Sequence, residues 1–257
     1  MLKEFDGSYG SRFSSRSEAF EELVRSSLNA RRTAVVLAGG PAKWLWAPDA
    51  KCYRPLIRFM GAPLIVHLLK RMKASGIGEA VVVGSHEVNS SIFTVAENGS
   101  SLGMKIKYVE EKEHNGSAHT LSLAEPHVSG PFAFAACDHY FDFSLSTIYD
   151  FHARQGLPAT LAVYYGTAFE WTKSSLVRID GSLITQYWEK PARPESHLIA
   201  TMTGFAQPEI FDLIEPHGSL DAQFAKLSAS NKLAGCLVSG NFANIHSKKD
   251  ADAVVLR

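Results

Sequence analysis

The chain has 257 residues, 46% of them hydrophobic, and its 26 basic residues balance 26 acidic ones. That is enough apolar material for one sizeable α/β core or two packed lobes. A formal charge of zero with no basic run argues against a nucleic-acid partner. The three cysteines, Cys52, Cys137 and Cys236, are far apart and form neither a CxxC pair nor a disulfide framework, so the chain reads as reduced and cytoplasmic. No apolar run approaches the roughly 18 residues that a membrane span needs, and the N-terminus has no apolar signal region.

Met1 to Ser14 is polar and rich in Gly and Ser. Ser15 and Glu18 have capping-box spacing, and Phe20, Leu23, Val24 and Leu28 fall on one face of a short helix. Residues 1–30 therefore read as an extension whose helix packs on the domain surface or docks a partner. Residues 31–257 read as one domain.

From Thr33 strands and helices alternate. Residues 35–38 form a buried strand that stops at Gly39-Gly40. Pro63 opens a helix whose Ile65, Leu68, Leu69 and Met72 share a face, and Gly76 ends it. Strands follow at 80–83, 105–109, 132–136 and 160–165, with helices over 86–97, 117–124 and 144–154. This rhythm predicts a three-layer, mostly parallel, Rossmann-like α/β sheet. Ligands bind at the carboxyl ends of such strands, here Gly39-Gly40, Gly84-Ser85 and Cys137-Asp138. Beyond Tyr165 the rhythm breaks. A hairpin over 176–187 with an Asp180-Gly181 turn, a strand at 199–205, helices near 209–214 and over 220–227, a strand at 235–238 and a helix after Ser247 make a mixed β lobe.

Several residues in this frame have the chemistry of a phosphate site. Gly39-Gly40 lets backbone amides approach an anion, or is a plain turn. Arg54 is held extended by Pro55 and either reaches across the mouth or is a solubilising surface charge. Asp138 ends a central strand, where it suits Mg²⁺ or caps the next helix, and His139 beside it reads more simply as a hydrogen-bonded structural group. Glu189 and Lys190 leave the hairpin together, the lysine being a point-charge phosphate binder, or are a surface charge pair.

In order, these pieces resemble the nucleotidyltransferases that join an NTP to a sugar or polyol phosphate. "VVLAGG", "YRPLIRFMGAPLIVHLLKRMKASGI", "NGSAHTLSLA", "CDHYF", "ITQYWEKP", "TMTGFA" and "NFANIHSKKDADA" look like successive family segments over roughly 33–255. "AEPHVSGPFAFAACDH" is most similar to the cytidylyltransferases of inositol phosphate and related polyol or phosphonate substrates. The resemblance implies CTP or UTP as donor, a small phosphorylated acceptor and Mg²⁺ as cofactor; charge and hydropathy argue for no nucleic-acid and no membrane partner, and a homo-oligomer stays open. It implies that Leu37, Ala38, Gly39, Gly40, Gly116 and Ser117 contact the nucleotide. Asp138 and Asn244 would hold the metal, and His139, Glu189, Thr203 and Gly204 would line the acceptor site. Lys43, Arg54, Asp138 and Lys190 are the catalytic candidates.

Three departures stand out. The family loop "GG.GTRL" is Gly39-Gly40-Pro41-Ala42-Lys43-Trp44-Leu45 here, so Trp44 stands at the arginine position and Lys43 beside it is the candidate replacement. Arg54 replaces a lysine, and Asn244 replaces a second aspartate. A relative that binds nucleotide without turnover, as a regulatory subunit, is the alternative reading.

Overall fold

The computed structural model describes residues 15–29, 32–166, 174–193 and 195–254. In chain order the elements are α1 (Arg16–Asn29), β1 (Thr33–Ala38), α2 (Ala42–Leu45), β2 (Trp46–Ala47), β3 (Cys52–Tyr53), β4 (Arg58–Phe59), β5 (Ala62–Pro63), α3 (Leu64–Ala74), β6 (Glu79–Gly84), α4 (His86–Ala96), β7 (Lys105–Glu110) and α5 (Ser117–Ser122). Then come β8 (Phe132–Ala136), β9 (His139–Phe141), α6 (Leu145–Gln155), β10 (Ala159–Tyr165), β11 (Ser175–Asp180), β12 (Leu183–Trp188), β13 (Leu198–Ala206), α7 (Ile210–Leu213), α8 (Leu220–Ala229), β14 (Leu233–Val238), β15 (Phe242–Asn244) and α9 (Lys248–Ala253).

Strands β8, β1, β6 and β7 lie side by side and parallel. Their apolar runs are explained by burial on both faces. Alternation along β1 divides its side chains between two layers. Ala34, Val36 and Ala38 pack with Ile65, Leu68, Leu69 and Met72 of α3. Val35 and Leu37 pack on the other side with Ala118 and Leu121 of α5. Helices thus cover both faces, as the alternating sequence predicts.

The second half of the chain is attached through β13, which runs antiparallel to β8 with Thr203 opposite Ala135 and Ala206 opposite Phe132. Strand β13 also pairs with β10 and β11, while β10 pairs with β14, β14 with β12 and β12 with β11. These pairings close a five-strand circuit. Gly204 sits where the two halves meet: a Cβ there would lie 2.1 Å from the Thr160 carbonyl oxygen. Only glycine lets β13 approach β10 that closely.

Three expectations need correction. Arg54, expected to be extended, instead opens a 3₁₀ turn over Arg54–Leu56, with the Ile57 amide donating to the Arg54 carbonyl at 3.0 Å. The β11–β12 turn is Gly181-Ser182, not Asp180-Gly181, because Asp180 pairs with Leu183; Gly181 takes the positive φ of 59°. Phe20 and Val24, expected to pack, are exposed, and it is Ala19 that α1 buries; the side chains of Leu23 and Leu28 lie outside the described residues. The short pairs β2–β3, β4–β5 and β9–β15 gave no periodic signal, being two or three residues long. Among the described residues no helix is long and apolar enough to cross a membrane.

His152 of α6 is fully buried, with Nδ1 2.9 Å from Thr160 Oγ1 and Nε2 3.2 Å from the Gln207 amide nitrogen. The amide donates to Nε2, so Nδ1–H donates to Thr160 and the ring has no room for a second proton. Burial lowers its pKa from 6.5 to about 4. The folded state therefore binds fewer protons than the unfolded one between these values. Stability from this group is complete above pH 6.5 and falls as pH drops towards about 4, by on the order of 3 kcal/mol. Urea unfolding between pH 7.5 and 4.5 should show this loss, and His152→Gln should flatten the profile.

Candidate active site

The carboxyl ends of β1, β6 and β8 meet at one edge of the sheet. Strand β1 delivers Leu37 and Ala38, both buried, to the Gly39-Gly40 turn, and the Cys137 amide donates to the Leu37 carbonyl at 3.0 Å. Gly39 is a close-approach glycine: a Cβ there would lie 2.2 Å from Thr120 Oγ1 and 2.7 Å from Glu111 Oε2. Gly40 takes a φ of 103°. Its amide is already engaged, donating to Glu111 Oε2 at 2.6 Å, while Thr120 Oγ1 donates to Glu111 Oε1, also at 2.6 Å. A buried carboxylate therefore braces the turn from beneath.

The loop then forms the single turn α2. Trp44 is 58% exposed and meets the His114 ring edge-on at 5.5 Å between centroids. It covers the Gly40 turn together with His114, whose Nδ1 lies 3.4 Å from Glu111 Oε2. Lys43 is exposed, and among the described residues it makes no ion pair. An indole thus stands over the turn.

Arg54 and Asp138, expected separately as a phosphate contact and a metal ligand, pair with each other: Arg54 Nη1 donates to Asp138 Oδ2 at 3.2 Å. His246 Nε2 approaches the same oxygen at 3.4 Å. Burial lowers the pKa of His246, opposed by the Asp138 charge and reinforced by Arg54. The Nε of Arg54 is buried without a partner, which leaves the guanidinium with donor capacity for an anion.

The C-terminal segment completes this corner. Asn244 of β15 pairs with His139 of β9, and the Ile245 amide donates to the Asp138 carbonyl at 2.9 Å. Asp142 anchors the segment by accepting the Asn241 backbone and side-chain amides at 2.7 and 2.6 Å. A cavity of about 130 Å³ opens here, with His139, Lys190, Asp221, Met202, Phe242 and Asn244 among its walls. His139 Nδ1 and Asn244 Oδ1 are buried and unpartnered. Burial lowers the pKa of His139, opposed by the Asp138 charge.

Among the described residues no three His, Cys, Asp or Glu side chains form a metal cage. The donors do suit a hard cation carried in by phosphate: one carboxylate, Asp138, and the unpartnered amide oxygen of Asn244.

Other expected site residues lie at the margin. Gly116, with a φ of 103°, packs against Gly218, and Ser117 Oγ accepts the Leu220 amide at 2.8 Å. Glu189 accepts from Ser219 Oγ at 3.2 Å. Thr203 Oγ1 is buried and unpartnered beside Gly204 in β13. The 217–220 segment therefore ties the Gly116 turn to the end of the β11–β12 hairpin. Sequence reasoning passed over Glu111, His246 and Asp221. Glu111 follows directly on β7, a parallel strand end like the one that flagged Asp138. The other two had no sequence signal: Asp221 reads as an ordinary first-turn acid, and His246 as a loop residue.

A family model described as "Nucleotidyl transferase" matches residues 33–229. A probable mannose-1-phosphate guanylyltransferase of Oryza sativa subsp. japonica is 24% identical over 225 residues, which cover 84% of this chain and 62% of that protein. A UTP–glucose-1-phosphate uridylyltransferase of Haloferax volcanii is 28% identical over 192 residues, 71% of this chain and 76% of that one. The solved inositol-1-phosphate CTP transferase of T. maritima superposes with a TM-score of 0.70 at 21% identity, covering 86% of this chain and 91% of that one. The chain spans 60–62% of the length of several guanylyltransferases that it matches.

Removing the Glu111 carboxylate would leave the Gly40 amide and the Thr120 hydroxyl without their acceptor. Glu111→Ala should cost about 1–3 kcal/mol for each buried donor that water fails to reach, measured by urea unfolding. Glu111→Gln keeps one acceptor oxygen and should recover part of the loss.

Proposed function

The chain belongs to the nucleotidyl transferase family, and from that premise we propose that it transfers a nucleotidyl group from an NTP to a small phosphorylated acceptor in the cytoplasm, releasing pyrophosphate. CTP or UTP is the favoured donor and a sugar, polyol or phosphonate-type phosphate the acceptor. Residues 31–257 form the transferase domain and residues 1–30 an N-terminal extension. The observation that carries the reading is the meeting of Arg54, Asp138, His139, Lys190 and Asn244 at one corner of the sheet, beside the Gly39-Gly40 turn.

The chemistry asked of these residues is positioning and charge stabilisation. An acceptor phosphate oxygen attacks the α-phosphorus in line as the bond to the pyrophosphate oxygen breaks. Leu37 to Gly40, Gly116 and Ser117 form the nucleotide side. Lys190 holds the acceptor phosphate within reach. Arg54, anchored by Asp138, presents its remaining N–H groups to the phosphates. Glu189, His139, Thr203 and Gly204 shape the acceptor side. Asp138 and Asn244 would hold Mg²⁺, which when bound neutralises charge on the phosphate oxygens.

The test is pyrophosphate release with Mg²⁺, each of ATP, CTP, GTP, UTP and dTTP, and a panel of sugar, polyol and alkyl phosphates. One pairing should turn over, and Arg54→Met should lower its rate by about 10²–10³. Lys43→Ala should cost more than Trp44→Arg if Lys43 supplies the charge that the loop otherwise lacks. Silence across the panel from folded protein would end the reading.

A further inference from the structure

One charge in the cavity beside β9 forms no ion pair among the described residues. Asp221, in the first turn of α8, lines the cavity. Ser175 Oγ and Tyr187 Oη both donate to the same carboxylate oxygen, Oδ1, at 2.5 and 2.6 Å. Among the described residues no hydrogen bond reaches Oδ2, and Asp221 joins no ion pair. Burial, reinforced by the Asp221 charge, pushes the Tyr187 phenol well above its usual range, so it remains a donor.

Two hydroxyl donors stabilise an anion without cancelling its charge. A half-buried carboxylate lacking a cation is costly unless the ligand brings one. The opposite sign in the cavity belongs to Lys190, which on the reading above is occupied by the acceptor's phosphate. His139 Nδ1, buried and unpartnered in the same wall, is a second sign that the cavity is built for a polar ligand. Phe242 supplies an aromatic surface beside it.

We propose that Asp221 selects the acceptor, and that the acceptor is an amino-phosphate: its phosphate lies on Lys190 and its ammonium group on Asp221 Oδ2. This rests on the nucleotidyl-transfer reading in naming the ligand an acceptor. A volume of about 130 Å³ suits a short aminoalkyl chain or one sugar ring.

Matched pairs test it: aminoethyl phosphate against hydroxyethyl phosphate, and glucosamine 1-phosphate against glucose 1-phosphate. Calorimetry gives Kd without turnover, and pyrophosphate release gives kcat/KM. In at least one pair the amine should bind about tenfold or more tightly, the scale of one charge-assisted hydrogen bond. Asp221→Asn should bring that ratio close to one. Tyr187→Phe, which keeps the carboxylate, should retain the preference. Equal affinities in both pairs, binding of no amine, or a preference that survives Asp221→Asn overturns the proposal. Where Asp221→Asn does not fold, the wild-type ratios decide alone. Amine-selective binding without pyrophosphate release would keep Asp221 as the selector and remove the transfer reading. Release without amine preference would do the reverse.

Discussion

Burial of β1, β6 and β8 on both faces is the constraint on which the rest of the structure depends. A strand covered on both sides has no room along its length for a charged group, so polar chemistry is displaced to its end. Gly39-Gly40 and Asp138 lie at such ends, and Glu111 lies just past β7. The same rule concentrates exposed amides there, and the Gly40 amide is engaged by a carboxylate from the end of β7, two strands away from β1. The Gly39-Gly40 turn is therefore braced from within the same sheet edge.

The second half of the chain completes what the sheet begins. Strand β13 docks antiparallel on β8, and its glycine allows the lobe to fold back onto β10. Strand β15 then pairs with β9, which sets Asn244 opposite His139 and the Ile245 amide on the Asp138 carbonyl. Lys190 and Asp221 reach the same cavity from the lobe. The proposed nucleotide side comes from one half of the fold and most of the proposed acceptor side from the other. The tie between Gly116, Ser117 and the 217–220 segment links them directly.

The loop over the turn departs from the family pattern that the rest of the sequence resembles. Trp44 occupies the place at which the family pattern has an arginine, and it rests against His114 rather than on a charged partner. Arg54, by contrast, keeps a cation where the family pattern has a lysine, and it is held by Asp138. The loop loses its arginine at Trp44 and presents an aromatic cover instead.

The sequence alone determined the order of strands and helices, the doubly covered sheet and the residues at its strand ends, because apolar runs and their period report burial directly. It also put forward Asp138, Arg54 and Lys190 as site candidates through the order of their motifs. It did not reveal the two- and three-residue strands, whose length is too short for periodicity, nor the Gly181-Ser182 turn, whose register is set by pairing. Only the tertiary structure decided that Glu111 braces Gly40, that His246 shares the Asp138 oxygen, and that Asp221, held by Ser175, lines the cavity with no ion pair among the described residues. Those contacts join residues 71, 108 and 46 positions apart. No local pattern encodes such a meeting; it exists only once the lobe has closed on the sheet.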